Sequence, residues 1–120
     1  MKILIVDDST AMRMIVRKTM RQAGFDGHEF TEAEDGAKAL AAIKATPQDL
    51  VLSDWNMPNM TGIELLESLT KDGIKVKFGF VTTEATPDML QRATGAGASF
   101  LISKPFTPES FKETLGPFIK

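Results

Sequence analysis

The sequence predicts an α/β fold in which five parallel strands form one doubly wound sheet covered by five helices on its two faces. Short aliphatic runs of strand length alternate along the chain with longer segments whose apolar residues have helical spacing. The connections are only a few residues long, and Gly and Pro stand at these boundaries. Strict alternation of strand and helix is typical of parallel sheets with right-handed crossovers.

Length and composition limit the classes of protein. The 120 residues are 42% hydrophobic and 25% charged, which fits one domain with one core, and the absence of Cys excludes disulfides and thiolate metal sites. A formal net charge of -2 gives no basic excess to attract nucleic acid or an anionic membrane. No apolar run approaches the roughly 18 residues of a membrane span. We therefore expect one cytoplasmic domain over residues 1–120, with neither nucleic acid nor membrane as a partner.

The first strand is predicted over residues 3–6 and ends at two acidic residues. Ser9 or Thr10 is suited to cap the helix that follows, and Gly24 is suited to close it. The spacing predicts that four apolar residues face the sheet: Met12, Ile15, Val16 and Met20. Four basic residues are expected on the opposite face: Arg13, Arg17, Lys18 and Arg21.

The second strand, roughly residues 28–32, is polar enough to lie at an edge of the sheet. Asp35 is the expected N-cap of an alanine-rich helix over residues 36–45, and Pro47 stops that helix. The spacing predicts an apolar stripe made of Ala37, Leu40, Ala41 and Ile43.

The third strand contains the continuous aliphatic run at residues 50–52, which is typical of a strand buried on both faces. The third helix is predicted to open near Thr61 and to end at Gly73. Its expected buried residues are Ile63, Leu65, Leu66 and Leu69. The fourth strand is predicted over residues 76–81.

The last part of the chain has two helix starts with Pro at the first helical position. The fourth helix begins at Thr86-Pro87-Asp88 and runs to Gly95 or Gly97, and the fifth strand is predicted over residues 99–103. Thr107 is the expected N-cap of the fifth helix. The inner face of this helix is predicted to carry Phe111, Leu115, Phe118 and Ile119.

Polar residues stand at the carboxyl ends of four predicted strands. Asp7 and Asp8 follow the first strand, Asp54 the third, Thr82 the fourth and Lys104 the fifth. In a parallel sheet these ends share one edge, where open α/β sheets bind their ligands. Neighbouring carboxylates repel one another, and a divalent cation relieves the repulsion. Oxygen ligands without His or Cys favour Mg²⁺ or Mn²⁺ over zinc.

This set of residues suits phosphoryl transfer, in which catalysis consists of positioning and charge neutralisation. Asp54 is the expected nucleophile, which would form an acyl phosphate. Lys104 would add positive charge and Thr82 a hydroxyl donor. Each residue also has a plainer interpretation, such as capping of the first helix or an ordinary strand end. The conjunction at four separate strand ends favours the site.

The chain resembles the receiver domain of bacterial two-component response regulators over essentially its whole length. The motifs that carry the resemblance lie at residues 3–9, 53–62, 81–85 and 104–106. The wording Asp-Trp-Asn-Met-Pro-Asn-Met, which starts at Asp54, is most similar to the chemotaxis members of the family. The resemblance implies a flavodoxin-like sheet with strand order 2-1-3-4-5.

The resemblance also implies a role for each acidic residue. Asp54 would be the phosphoacceptor and would take its phosphoryl group from the phosphohistidine of a sensor histidine kinase. Asp8 and Asp54 would bind Mg²⁺ through their side chains, Asp7 through water, and Asn56 through its backbone carbonyl. Asn56 and Glu84 would tune the rate of self-dephosphorylation, and their pairing here predicts a short-lived phosphoprotein.

The same resemblance implies a switch that connects the phosphorylated site to a distant surface. Thr82 would donate a hydrogen bond to the phosphoryl group, Lys104 would form an ion pair with it, and the Lys104–Pro105 peptide bond would be cis. The family couples Thr82 to an aromatic residue three positions before Lys104. Leu101 stands at that position here, whereas Phe100 is predicted to point to the opposite side of the sheet.

The implied partners are a sensor histidine kinase of the chemotaxis type, a downstream protein target such as the flagellar motor switch, and a phosphatase as a further candidate. The implied output face includes Ala85, Leu90, Phe100 and Leu101. We expect the phosphorylation chemistry to follow the family. Because Leu101 lacks a ring, we expect the output face to differ from that of the family.

Several other functions remain open from the residues. The chain would also fit a receiver of a phosphorelay or adaptor pathway, or the receiver part of a longer regulator. An aspartyl-phosphate phosphatase is disfavoured because it uses a second acid two residues after the nucleophile, where Asn56 stands here. A flavodoxin-like FMN carrier is disfavoured because Asp7 and Asp8 would repel the FMN phosphate.

Overall fold

The computed structural model describes residues 1–83 and 86–119. The strands in these residues are β1 (Lys2–Val6), β2 (Glu29–Ala33), β3 (Leu50–Ser53), β4 (Lys77–Thr82) and β5 (Phe100–Ser103). The helices are α1 (Thr10–Gln22), α2 (Gly36–Ala45), α3 (Gly62–Lys71), α4 (Pro87–Ala96) and α5 (Pro108–Leu115). All neighbouring strands pair in parallel, in the order β2-β1-β3-β4-β5. The predicted fold class and strand order are confirmed.

β3 lies in the middle of the sheet, between β1 and β4. All four of its residues are at most 1% exposed. Helices cover both faces of a parallel sheet, so a central strand needs apolar side chains at successive positions rather than at alternate ones. The prediction of a strand buried on both faces is confirmed.

Alternate residues of the strands pack on opposite faces of the sheet. On one face α2, α3 and α4 pack against side chains that include Leu4, Val51 and Phe80. On the other face α1 and α5 pack against a set that includes Ile5 and Leu52. Burial of one such side chain contributes about 1.5–3 kcal/mol, so the two layers together hold the strand ends in fixed positions.

Each helix begins at a residue whose side chain accepts a hydrogen bond from a backbone N–H in the first turn. These N-caps are Ser9, Asp35, Thr61, Thr86 and Thr107. Ser9 rather than Thr10 caps α1. In the part of the chain that the structure describes, no helix is long and apolar enough to cross a bilayer.

The inward faces of α1 and α2 differ from the prediction. Ile15 is 48% exposed, because Val16 and Met20 form the stripe that packs on the sheet and Ile15 is turned about 100° away from Val16. In α2, Ala37 and Ala41 are exposed, whereas the buried positions are Gly36, Ala39 and Ile43. Apolar residues occur on more than one side of both helices, so the spacing alone did not select the buried side.

The ends of some elements also differ from the prediction. β2 begins at Glu29 and β5 at Phe100, and β4 extends through Thr82. α5 ends at Leu115, so Phe118 and Ile119 follow the helix instead of lying on its inner face. Ile119 is nevertheless 5% exposed and belongs to the core beside α1.

Candidate functional site

The carboxyl ends of the strands meet at one edge of the sheet, as predicted. Backbone hydrogen bonds continue from strand to strand beyond these ends: the N–H of Asp54 donates to the Val6 carbonyl over 2.9 Å, and the N–H of Lys104 donates to the Thr82 carbonyl over 2.8 Å. These bonds fix the first loop residue after β3 and after β5. The edge of the sheet thus positions the side chains of Asp54 and Lys104 directly.

Three carboxylates form an acidic pocket at this edge, and we use that name for Asp7, Asp8 and Asp54. Each of them offers an oxygen within 4.8 Å of the others. Asp7 is 4% exposed, Asp54 is half-buried and Asp8 is exposed. Three hard oxygen donors at this spacing, without His or Cys among them, fit Mg²⁺ or Mn²⁺. The acidic pocket could therefore hold a divalent cation, as the sequence predicts.

Lys104 lies against the same pocket. Its Nζ donates to Oδ2 of Asp7 over 3.3 Å and lies 3.7 Å from Oδ2 of Asp54. The Lys104 side chain is 10% exposed, so this ammonium group is screened far less than a surface lysine. The Lys104–Pro105 peptide bond is cis, as the family resemblance implies.

The two oxygens of Asp54 have different surroundings. Oδ1 accepts a hydrogen bond of 2.7 Å from the N–H of Trp55, whereas Oδ2 is the atom nearest Lys104. Burial raises the pKa of the Asp54 carboxyl, and the negative charges of Asp7 and Asp8 raise it further. Lys104 and the Trp55 N–H act in the opposite direction.

The loop after Asp54 is held from two sides. The N–H of Gly62 donates to the Trp55 carbonyl over 2.9 Å, and a Cβ at Gly62 would collide with the carbonyl oxygen of Asp54. Asn59 has a left-handed backbone, with a φ of 67°, and its Nδ2 donates to Oδ2 of Asp35 over 3.0 Å. The Asp35 carboxylate therefore both caps α2 and holds Asn59 of this loop in place.

These hydrogen bonds also change the titration of Asp35. The backbone N–H of Lys38 and the side chain of Asn59 lower the pKa of the Asp35 carboxyl, although its burial acts the other way. The sequence predicted Asp35 as a cap only. The link to Asn59 depends on a left-handed residue, which the sequence pattern did not reveal.

The remaining predicted site residues lie on β4, on β5 and in neighbouring segments. Thr82 is the last residue of β4, is 1% exposed and pairs with Ser103. Asn56 is exposed in the loop between β3 and α3. Glu84 and Ala85 lie outside the residues that the structure describes.

The structure describes three of the four residues predicted for the output face, namely Leu90, Phe100 and Leu101. Leu101 packs with the core on the side of α2, α3 and α4. Phe100 points to the other side, where the centroid of its ring lies 5.4 Å from the ring centroid of Phe118. The predicted opposite orientation of Phe100 and Leu101 is confirmed. Leu90 is 51% exposed on α4.

Arg13 contacts the site, although its position in the helix predicted a solvent-facing residue. Its side chain is only 13% exposed. Its Nη1 donates to the backbone carbonyl of Asp7 over 2.6 Å, and its Nε donates to Glu32 over 3.0 Å. A basic residue one turn into the helix after an acidic strand end is the signal that could have indicated this contact.

The fold and the acidic pocket define a receiver class of protein, and the comparison with known families agrees. Residues 3–116 match the family described as the response regulator receiver domain, and the chain belongs to this family. The family that the sequence motifs indicate is therefore confirmed.

Individual relatives place the chain near chemotaxis regulators. It is 43% identical over 117 residues to the chemotaxis protein CheY-3 of Vibrio cholerae, which covers 96% of this chain and 88% of that protein. It is 41% identical over 117 residues to the chemotaxis protein CheY of Pseudomonas aeruginosa, with 96% and 93% covered. The solved structure of Vibrio cholerae CheY4 superposes with a TM-score of 0.85 at 36% identity and covers 98% of both chains.

Proposed function

We propose that this receiver domain accepts a phosphoryl group on Asp54 from the phosphohistidine of a sensor histidine kinase and signals through a change of its surface, in a chemotaxis pathway. One such domain accounts for residues 1–120 in this proposal. The observation that carries it is the position of Asp54 Oδ2, which is half-buried beside two further carboxylates and 3.7 Å from Lys104 Nζ. The similarity to chemotaxis proteins supports the pathway.

The transfer is a displacement at phosphorus. A carboxylate oxygen of Asp54 attacks the phosphorus atom, the P–N bond of the phosphohistidine breaks, and its electron pair returns to the imidazole nitrogen, which takes a proton from solvent. The product is an acyl phosphate on Asp54 and a free histidine. Oδ2 is the better placed nucleophile because Oδ1 is engaged by the Trp55 N–H.

A divalent cation, Mg²⁺ or Mn²⁺, would be held by the side chains of Asp8 and Asp54, by Asp7 through water, and by the backbone carbonyl of Asn56. When bound, such a cation supplies positive charge that neutralises the oxygens of the transferred group. The three carboxylates of the acidic pocket support this assignment, since each has an oxygen within 4.8 Å of the others.

Lys104 and Thr82 would contact the phosphoryl group once it is attached. The Lys104 ammonium group, which bonds Asp7 in this structure, would form an ion pair with a phosphoryl oxygen. The Thr82 hydroxyl would donate to another of these oxygens. Because Thr82 pairs with β5, a shift of Thr82 would be transmitted to Leu101 and to the rest of the output face, which includes Leu90.

The domain returns to its first state when water attacks the phosphorus atom, the P–O bond to Asp54 breaks, and inorganic phosphate leaves. Asn56 and Glu84 would tune the lifetime of the acyl phosphate, as the family resemblance implies. In this account the protein is a signalling domain whose own side chain is the substrate. A phosphatase partner would act on the same bond.

Leu101 favours one second candidate, a receiver that acts in a phosphorelay or adaptor pathway with another kind of target. Leucine is half-buried at this position and has neither a ring nor a hydroxyl to move between an inner and an outer site. The kinase and the phosphoacceptor would be of the same kind in both candidates, and only the downstream protein would differ from the flagellar motor switch.

Trp55 provides the test of the proposed function because its backbone N–H bonds Asp54 and the residue is 9% exposed. We expect its fluorescence to change on addition of Mg²⁺ and to change again with beryllofluoride, which mimics a phosphoryl group. The second change should be absent in Asp54→Asn. A beryllofluoride response that persists in Asp54→Asn would contradict the proposal.

A further inference from the structure

The conformation of Asp7 is fixed through both of its backbone groups and both of its carboxylate oxygens. Its N–H donates to the Ala33 carbonyl over 3.1 Å, and its Oδ1 accepts from the N–H of Ser9 over 2.9 Å. Its Oδ2 accepts from Lys104. Its carbonyl oxygen accepts from Arg13. The contact with Arg13 differs from the other three because it joins a charged side chain to a backbone atom of Asp7.

The guanidinium group of Arg13 joins three segments of the chain. Nη1 donates to the Asp7 carbonyl over 2.6 Å, Nη2 donates to Oγ1 of Thr10 over 3.1 Å, and Nε donates to Oε1 of Glu32 over 3.0 Å. Glu32 lies on the edge strand β2, and its side chain is 29% exposed. A planar group with five donors in fixed directions can make these bonds together, which a lysine ammonium at the same place cannot.

We propose that Arg13, anchored by Glu32, is a positioning residue of the acidic pocket: it fixes the backbone of Asp7 and thereby the direction of the Asp7 carboxylate. This inference rests on the proposed binding of a divalent cation by the pocket. Replacement of residues that orient metal ligands from behind typically costs about 10–100-fold in metal affinity or activity.

A second explanation of Arg13 makes the opposite prediction. If Arg13 acted only as a positive charge near the pocket, it would repel a cation, so its removal would strengthen Mg²⁺ binding and its replacement by lysine would change nothing. If it acts by positioning, both replacements weaken binding. The sign of the change in Mg²⁺ affinity therefore separates the two explanations.

The experiment measures the Mg²⁺ dissociation constant by calorimetry for the whole chain and its variants. We expect Arg13→Lys and Arg13→Gln to weaken Mg²⁺ binding by about 10-fold. Arg17→Gln is the matched control: its guanidinium also contacts Glu32, at 3.5 Å, but it makes no bond to Asp7, so its affinity should stay close to that of the unchanged protein.

Coupling to Glu32 gives a second, independent measurement. Glu32→Ala should weaken Mg²⁺ binding in the unchanged protein but should add little in the Arg13→Lys background, because the anchor acts only through Arg13. Urea denaturation of every variant identifies any that is unfolded, and the pair of Arg13 replacements keeps the test decisive if one of them is.

The outcomes are distinguishable. Wild-type affinity in Arg13→Lys, tighter binding in Arg13→Gln, or additive effects with Glu32→Ala would overturn the role of Arg13 while leaving the proposed function intact. If the unchanged protein bound no Mg²⁺, both the proposed cation site and the role of Arg13 would be overturned.

Discussion

Lys104 Nζ lies 3.7 Å from Oδ2 of Asp54, and the Lys104 side chain is 10% exposed. The same nitrogen bonds Asp7, so a single ammonium group contacts two of the three carboxylates of the acidic pocket. The negative charge of the acidic pocket is therefore only partly balanced within the protein. This imbalance is the physical reason to expect a cation, and it determines how the pocket should respond to substitution.

Removal of the Lys104 charge should strengthen cation binding. Lys104→Gln removes a positive charge that competes with Mg²⁺ for Asp7 and Asp54. A unit charge at this range is worth at least about 1 kcal/mol, the value in bulk water, so the dissociation constant should fall at least about fivefold. Mg²⁺ titration followed by Trp55 fluorescence measures it. Lys112→Gln, at an exposed position on α5, is the control and should leave the affinity unchanged. Weaker Mg²⁺ binding in Lys104→Gln would contradict the account.

Removal of the Asp54 charge should stabilise the fold at neutral pH in the absence of divalent cations. Since burial raises the pKa of Asp54 in the folded state, folding is favoured by protonation of this group, and that stability is lost as the pH rises through the folded pKa. Asp54→Asn should therefore be more stable than the unchanged protein at pH 7. The gain should decrease as the pH falls below about 4, because the carboxyl then becomes protonated in the unfolded state as well as in the folded state.

Urea denaturation at several pH values measures this difference. Asp26→Asn is the control because Asp26 is exposed in the loop before β2, and it should show no such gain at pH 7. An Asp54→Asn variant that is less stable than the unchanged protein at pH 7 would show that the carboxylate is not held in an unfavourable position.

The left-handed residue in the loop after Asp54 predicts a difference between two substitutions. Asn59→Ala removes the bond to Asp35 and places an alanine at a φ of 67°, whereas Asn59→Gly removes the same bond but adopts this φ without strain. We expect Asn59→Ala to be less stable than Asn59→Gly by about 1 kcal/mol. Thermal or urea unfolding measures it, and equal stability of the two variants would contradict the described loop conformation.

Replacement of Gly62 should lower both the folding free energy and the Mg²⁺ affinity of the site. In Gly62→Ala the new methyl group would collide with the Asp54 carbonyl oxygen, so we expect a loss of at least about 2 kcal/mol of folding free energy and weaker Mg²⁺ binding. Gly95→Ala is the matched control: Gly95 lies in α4 with no atom within 4 Å of the added Cβ, and alanine there should stabilise the helix by about 0.5–1 kcal/mol. A harmless Gly62→Ala would contradict the packing around Asp54.

Much of the fold and of the site could be predicted from the sequence because the signals were local and strong. The continuous aliphatic runs of β1 and β3 marked the central strands, and the polar residues at the ends of four strands marked one edge of the sheet. Parallel strands bring these residues together without any further information. Asp7, Asp8, Asp54 and Lys104 do lie together in the structure.

The features that the sequence could not predict depend on how the helices are rotated against the sheet and on the contacts that long side chains make. The exposed position of Ile15 and the buried position of Ala39 follow from how α1 and α2 are rotated against the sheet, and apolar residues on several sides of a helix leave that rotation open. The contact between Arg13 and Asp7 depends on the path of a flexible side chain. The left-handed backbone of Asn59 could not be predicted without knowing that its side chain bonds Asp35.

In the proposed function, Asp54 is the residue that becomes phosphorylated. The most direct measurement is to incubate the protein with acetyl phosphate and Mg²⁺, reduce the product with borohydride, which converts an aspartyl phosphate to homoserine, and locate the change by mass spectrometry. We expect homoserine at residue 54 and none in Asp54→Asn or without the divalent cation. Homoserine at another aspartate, or an unmodified Asp54 in the complete reaction, would contradict it.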